Sequence, residues 1–285
     1  MKPLAFYPGC ALQAMTWDYR ESLKHAMAAL DLELVELEDW TCCGATAAHS
    51  LDEHMSIILP ARNLLSAERL SLDLAIACPM CYKRITYSRQ MLRQKRVSDP
   101  WSLKLDTAIY DLARWLASDF LLARIRDRVE RPLKGLKVVC YYGCQAVRPP
   151  KITGHLDYEN PQHLDRLAAA TGATVLDWSF KATCCGASMG IPNKPIGQAL
   201  IRKLLTWAHA AGAQSIMVCC PLCQSNLDLY QAELSQQNGW DWQIPIFYYT
   251  ELLGIASGLD VVKPGLRSHM VDPLPLIDRI QRGIA

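Results

Sequence analysis

No uninterrupted apolar run in this 285-residue chain reaches the roughly 18–20 residues that a bilayer crossing requires. No membrane span is therefore expected. The opening residues 1–9 carry one lysine and no long apolar stretch ahead of a cleavage site, so a secretory signal is not expected either. Both absences point to the cytoplasm, where thiols stay reduced. Excess charge is lacking too. The 30 Lys and Arg stand against 28 Asp and Glu and leave a net +2, which builds no field for nucleic acid or an anionic membrane. Basic residues gather only locally, at 89–96 and 124–137. Asp and apolar residues interleave in the second stretch, the pattern of a solvated helix face.

Cysteine, by contrast, is plentiful. Ten of the 12 cysteines form one five-cysteine pattern written twice. Cys10, the pair Cys42 and Cys43, and Cys78 with Cys81 make the first copy. Cys144, the pair Cys184 and Cys185, and Cys220 with Cys223 make the second. Each pair is followed by glycine (Gly44, Gly186), and each copy closes on Cys-Pro-x-Cys. The gap from pair to closing motif is 34 residues in both copies, 44–77 and 186–219. The gap before the pair is looser, 31 residues against 39.

Matched thiol spacing at this density reads as metal ligation. A disulfide framework needs an oxidising compartment and usually a small, loop-rich chain. This chain is long enough to bury a core, and 51% of its residues are hydrophobic. Zinc competes, since Cys-x-x-Cys pairs suit tetrahedral thiolate sites, but zinc takes four ligands. A cubane iron–sulfur cluster also takes four. Five per copy is one too many for either, unless a thiolate bridges two metals or one cysteine is a bystander. Adjacent cysteines are suited to bridging, so an iron–sulfur cluster of unusual geometry fits the count better than zinc. One [4Fe–4S] cluster with one zinc is the alternative.

The repeat extends beyond the thiols. The run 4–10 aligns with 138–144, each a short β-prone stretch ending in a glycine turn that presents a cysteine. Helical stretches follow (17–30; 163–171), then apolar strands (32–37; 174–178), the Cys-Cys-Gly loops, and longer helical segments (49–70; 196–211). Strands at 73–77 and 215–219 run into the Cys-Pro-x-Cys motifs, from which helices open. Alternating strand and helix predict an α/β fold of two pseudo-repeated units with parallel-sheet cores. Cluster cysteines then fall at the carboxyl ends of strands and at helix starts, where ligands of such sheets gather. Pro79 and Pro221 suit the first helical position, and the free amides of that turn can donate to sulfur. Gly44 and Gly186 allow turns that point two consecutive thiols inward. Residues 101–131 read as one long amphipathic helix, with Ile109, Leu112, Leu116, Phe120 and Leu121 near one face. Its end at Pro132 and Gly135 divides the chain into units 1–131 and 132–285.

The doubled pattern resembles the cysteine-rich CCG domain, and the whole chain resembles the B subunit of heterodisulfide reductase. Supporting stretches are Phe6-Tyr7-Pro8-Gly9-Cys10, Pro132-Leu133-Lys134-Gly135-Leu136-Lys137, Tyr141-Tyr142-Gly143-Cys144 and His269-Met270-Val271-Asp272-Pro273. The resemblance implies two non-cubane [4Fe–4S] clusters. Cys10, Cys42, Cys43, Cys78 and Cys81 would hold the first, and Cys144, Cys184, Cys185, Cys220 and Cys223 the second. It implies reductive cleavage of a small-molecule or protein-carried disulfide between facing clusters, or the reverse thiol oxidation, as in a bacterial sulfur-oxidising complex. No Cys-x-x-Cys-x-x-Cys-x-x-x-Cys-Pro motif occurs. By the same resemblance, electrons would come from a separate ferredoxin-like subunit, itself fed by a flavoprotein subunit. The competing readings are an electron-transfer module of a lactate- or glycolate-oxidising complex and a zinc or iron–sulfur interaction protein.

Other residues are read more blandly. Cys140 and Cys219 align with Phe6 and Ala77 and are expected in the core as small hydrophobes. His49, His54, His155 and His163 are candidate proton donors, set against surface or helix-capping roles. Lys181, three residues before Cys184, is a candidate attractor of an anionic substrate.

Overall fold

The computed structural model describes residues 1–45, 48–190 and 192–284. The first half runs β1 (Leu4–Tyr7), α1 (Gly9–Ala14), α2 (Trp17–Ala29), β2 (Leu34–Glu36), α3 (Ala48–Leu51), α4 (Glu53–Leu70), β3 (Leu74–Ile76), α5 (Pro79–Arg93), β4 (Ile109–Asp111), α6 (Leu112–Leu116) and α7 (Asp119–Asp127). The second half runs β5 (Lys137–Tyr141), α8 (Gly143–Val147), α9 (Pro150–Thr153), α10 (His163–Ala170), β6 (Thr174–Val175), α11 (Lys194–Ala210), β7 (Ser215–Val218), α12 (Pro221–Leu229), α13 (Gln231–Asn238), β8 (Ile246–Tyr248), α14 (Tyr249–Ala256), α15 (Lys263–Leu266) and α16 (Leu274–Gln281).

Each half carries a four-stranded parallel sheet, ordered β2-β1-β3-β4 and β6-β5-β7-β8. The inner strands are apolar runs because helices cover both faces; β1, β3 and β7 are buried throughout. Helices bury one stripe each. On α11 that stripe is Ile201, Leu204, Leu205 and Ala208, and each of its three larger side chains contributes about 1.5–3 kcal/mol by leaving water. In both sheets the strand order turns back between the first and third strands, β1 and β3 or β5 and β7. Such a switch point opens a crevice at the strand carboxyl ends.

The expected α/β repeat is present, with corrections to its elements. Residues 101–131 are not one helix: they contain β4, α6 and α7. Ile109-Tyr110-Asp111 is too short to show a period of two, and true helical spacing in the following α6 masks it. Asp111 Oδ1 accepts the Ala113 amide at 3.2 Å and starts that helix. Leu112, Leu116 and Leu121 are buried as expected, whereas Phe120 is exposed. β8, the matching fourth strand of the second sheet, is masked in the same way. The segment 49–70 divides into α3 and α4, with the Asp52 side chain capping α4 by accepting the Met55 amide at 2.6 Å.

The halves interlock. α14, which follows β8, packs on α2 of the first half. There the Tyr19 ring stacks on Tyr248 at 4.0 Å, and Ser22 Oγ lies 2.7 Å from Thr250 Oγ1. Reciprocally, α6 and α7, which follow β4, pack on α10 of the second half. One buried apolar cluster accordingly joins Leu4, Phe6 and Leu23 to Val138, Leu167 and Leu252. Among the described residues no helix is long and apolar enough to cross a membrane.

Candidate metal centre

All ten patterned cysteines collect at the two switch points. Cys10 and Cys144 stand three residues past the ends of β1 and β5, and Cys78 and Cys220 two residues past the ends of β3 and β7. The turn into each first cysteine needs glycine on two counts. Gly9 and Gly143 have φ of +69° and +68°, where a side chain is strained. A β-carbon on Gly9 would lie 3.3 Å from Cys81 Sγ, and one on Gly143 would lie 2.8 Å from Cys223 Sγ. The backbone occupies what would otherwise be a side chain's place beside the thiols.

Cys78 and Cys220 cap α5 and α12, with proline at the first helical position as expected. Backbone amides feed the sulfurs: Gly44 N–H donates to Cys42 Sγ at 3.4 Å and Gly186 N–H to Cys184 Sγ at 3.3 Å. The Ala45 and Ala187 amides donate to Cys43 and Cys185. Two tyrosines hold the Cys-Cys loops in matched fashion. Tyr7 Oη donates to the Thr41 carbonyl at 2.8 Å, and Tyr141 Oη to the Thr183 carbonyl at 2.6 Å, each just ahead of the pair.

Within the first set Cys10 meets Cys42, Cys42 meets Cys43, Cys43 meets Cys81, and Cys81 meets Cys78. In the second, Cys144 meets Cys184, Cys220 meets Cys223, and Cys185 Sγ lies 3.6 Å from Cys223 Sγ. The two sets touch through the Cys78 and Cys220 side chains. Cys43, Cys78, Cys81, Cys185, Cys220 and Cys223 are buried, Cys42 and Cys144 half-buried, and Cys10 and Cys184 exposed. Each set thus has a buried floor and an open edge.

The thiols divide into proton givers and takers. A hydrogen bond from Cys42, helped by Cys81, holds Cys43 down to about 4, and the Cys144 thiol holds Cys184 down to about 6. Cys220 and Cys81 hold Cys78 well below the usual thiol range. Cys42 and Cys144 are pushed up by giving those bonds. Such crowding of anion-forming sulfurs, fed by amides, is what a cationic cofactor neutralises. Five sulfurs from three segments fit an iron–sulfur group in each half.

Two cations border the sets. Lys83, on α5 of the first half, is desolvated, which lowers its pKa, while the Cys144 thiol of the second half raises it. Arg84 likewise faces Cys43 and donates to the Ser56 carbonyl at 2.7 Å. Asn226 Nδ2 donates to the Cys185 carbonyl at 2.7 Å. Tyr19 Oη lies 3.3 Å from the Ala77 carbonyl and 3.1 Å from that of Cys219, the residues immediately before Cys78 and Cys220. The cysteine pattern alone found none of these neighbours. The signal open to inspection was position: Lys83 and Arg84 stand two and three residues after Cys81 of the first Cys-Pro-x-Cys, and Tyr7 and Tyr141 stand three residues before Cys10 and Cys144.

The remaining candidates sort differently. Cys140 and Cys219 are fully buried outside the thiol contacts, with Cys140 on β5 and Cys219 just past β7. Lys181 is buried and paired with Asp165 at 2.8 Å, because an uncompensated buried ammonium would be costly. His155 and His163 are neither surface nor capping residues; both are buried beside Asp111, at the contact between halves. His54 is exposed on α4. The side chain of His49 lies outside the described residues.

Fold and site together define a tandem α/β protein with two matched sets of five cysteines. The family model described as the CCG cysteine-rich domain matches residues 4–86 and 138–228, and the chain belongs to that family. It is 27% identical over 281 residues to the 8-methylmenaquinol:fumarate reductase membrane anchor subunit of Wolinella succinogenes, covering 96% of this chain and 99% of that one. It is 26% identical over 297 residues to the B subunit of the ferredoxin:CoB-CoM heterodisulfide reductase of Methanosarcina mazei, covering 98% and 97%. A solved structure, a hypothetical protein from Helicobacter pylori, shares the fold with a TM-score of 0.69 at 12% identity. The match takes in 94% of this chain, which spans 52% of that one.

Proposed function

We propose that this chain is a heterodisulfide reductase-type oxidoreductase subunit that reduces a disulfide, or oxidises the corresponding thiols, at two non-cubane [4Fe–4S] clusters. Cys10, Cys42, Cys43, Cys78 and Cys81 hold one, and Cys144, Cys184, Cys185, Cys220 and Cys223 the other. The observation that carries this reading is the meeting of the two five-thiol sets at Cys78 and Cys220. Bound clusters supply electrons singly, and cleavage of one S–S bond takes two electrons and two protons to give two thiols.

The chain's own residues bind and orient. Tyr7 and Tyr141 fix the Cys-Cys loops, Gly9 and Gly143 keep side chains away from the sulfurs, and Tyr19 spans the two closing motifs. The Lys83 ammonium beside Cys144 favours an anionic substrate at the open edge. Electrons arrive from a ferredoxin-like subunit with a flavoprotein behind it, and the complex works in the cytoplasm. The repeat boundary lies between residues 131 and 132.

The test uses protein purified without oxygen, with iron, acid-labile sulfide and zinc measured per chain. About eight iron and eight sulfide are expected, with a paramagnetic signal that shifts when an asymmetric low-molecular-weight disulfide is added. Zinc without sulfide would overturn the cluster assignment. A signal that answers to a quinol and ignores every disulfide would replace disulfide chemistry with electron relay.

A further inference from the structure

A second group of ligand-type side chains lies where the halves meet. Asp111 ends β4 of the first half; His155 and His163 come from the second, His163 opening α10. Each offers one ligand atom, and the three atoms lie within 4.8 Å of one another. The residues are only 3%, 7% and 8% exposed. Asp111 Oδ2, His155 Nε2 and His163 Nε2 are all buried without a hydrogen-bond partner. Burying a polar atom without a partner is unfavourable, so three gathered in one place call for a missing partner.

The electrostatics fit a cation. Burial, with the Arg114 guanidinium assisting, pushes His155 down to about 4 and His163 well below its usual range. Both imidazoles are therefore neutral and keep the lone pairs that metals bind. Burial pushes Asp111 up to about 6, a cost that a bound cation would reverse. The imidazoles are held in place: the rings of His155 and His163 lie 5.0 Å apart, and Tyr142 packs edge-on to His163 at 4.6 Å. Arg114 is the opposing charge, and it is drawn toward the Thr153 carbonyl at 3.3 Å.

The molecule contains its own control. Asp18, Glu251 and His269 also bring three ligand atoms within 4.8 Å, where α14 meets α2. That group is closed on itself, with His269 Nε2 3.0 Å from Glu251 and 3.3 Å from Asp18. The Asp111 group has no such internal partners.

We propose that Asp111, His155 and His163 form a third metal site, separate from both cysteine sets, which binds a divalent transition-metal ion of the zinc class and ties the halves together. Two imidazoles and one carboxylate are a common zinc ligand set, with water in the fourth position. The site owes nothing to the cluster assignment, since none of its ligands is a cysteine.

The test is zinc binding and zinc-edge X-ray absorption on the anaerobically purified full chain, equilibrated with micromolar zinc and then desalted. About one zinc per chain in a nitrogen and oxygen shell showing imidazole scattering is expected. His163→Gln and His155→Gln should each weaken zinc about tenfold or more, with iron and sulfide unchanged. Zinc below about a tenth per chain, or zinc bound by sulfur alone, would overturn the proposal, as would full retention in both variants. Should a variant lose iron as well, its fold is damaged and the wild-type spectrum decides.

Discussion

At Gly143 a single added methyl meets a sulfur. The β-carbon would lie 2.8 Å from Cys223 Sγ, and the positive φ would add about 1–2 kcal/mol of strain for any L side chain. With one cluster in each cysteine set, as proposed above, Gly143→Ala should expel the second and leave the first, so that iron and sulfide fall by about half. Gly9→Ala, with 3.3 Å to Cys81 Sγ, should be milder and act on the first set. Unchanged iron in Gly143→Ala would mean that the loop yields and that the glycine is not needed for assembly. The gathering of both cysteine sets was legible at this scale because residue type and spacing are written directly in the sequence. Lys83 was not, since its approach to Cys144 joins positions 61 apart in sequence, and only the docking of α5 brings them together. The grouping of His155 and His163 with Asp111 was hidden for the same reason, since Asp111 belongs to the other half.

Among the elements, the seam of α2 and α14 holds a buried charge group with a pH signature. Burial opposes the charge on His269, yet the Glu251 and Asp18 carboxylates outweigh it and push the ring up to about 10. An unfolded histidine titrates near 6.5. The folded state thus holds a proton that the unfolded state releases. The resulting stability is complete below pH 6.5 and drains away as pH rises toward 10. Replacing His269 by Ala should cost about 3–5 kcal/mol at about pH 6 by leaving two buried carboxylates unpaired. Urea unfolding at about pH 6, 8 and 9.5 should show the wild type weakening with pH and the variant much less so. Parallel curves would remove His269 from that role. The β1, β3, β5 and β7 strands were readable as apolar runs ending in glycine or cysteine. β4 and β8 were not, because three residues cannot display a period and the helices they lead into can.

For the whole molecule, the repeat in sequence and the unit of folding do not coincide. Each half keeps its own sheet, but α14 covers α2, α6 and α7 cover α10, and one apolar cluster runs through both. Residues 1–131 expressed alone would leave α2 uncovered, and residues 132–285 alone would leave α10 uncovered. Each fragment should therefore be unfolded or aggregated, while co-expression should recover a complex with the native circular dichroism spectrum. A folded, monomeric 1–131 fragment would show that the exchanged helices are dispensable.

The hydroxyl of Tyr19 stands between two equivalent carbonyls, those of Ala77 and Cys219, and so touches both copies at matched positions. A point shared by both copies has room for one side chain, not two. Had the same architecture been assembled from two identical polypeptides, both would present a tyrosine at that point and the rings would collide. Joining the copies in one chain lifts the conflict, since the second copy is free to place another residue there. The asymmetry at the centre is thus available only to a single chain, and it lets the two copies differ where their Cys-Pro-x-Cys motifs come closest.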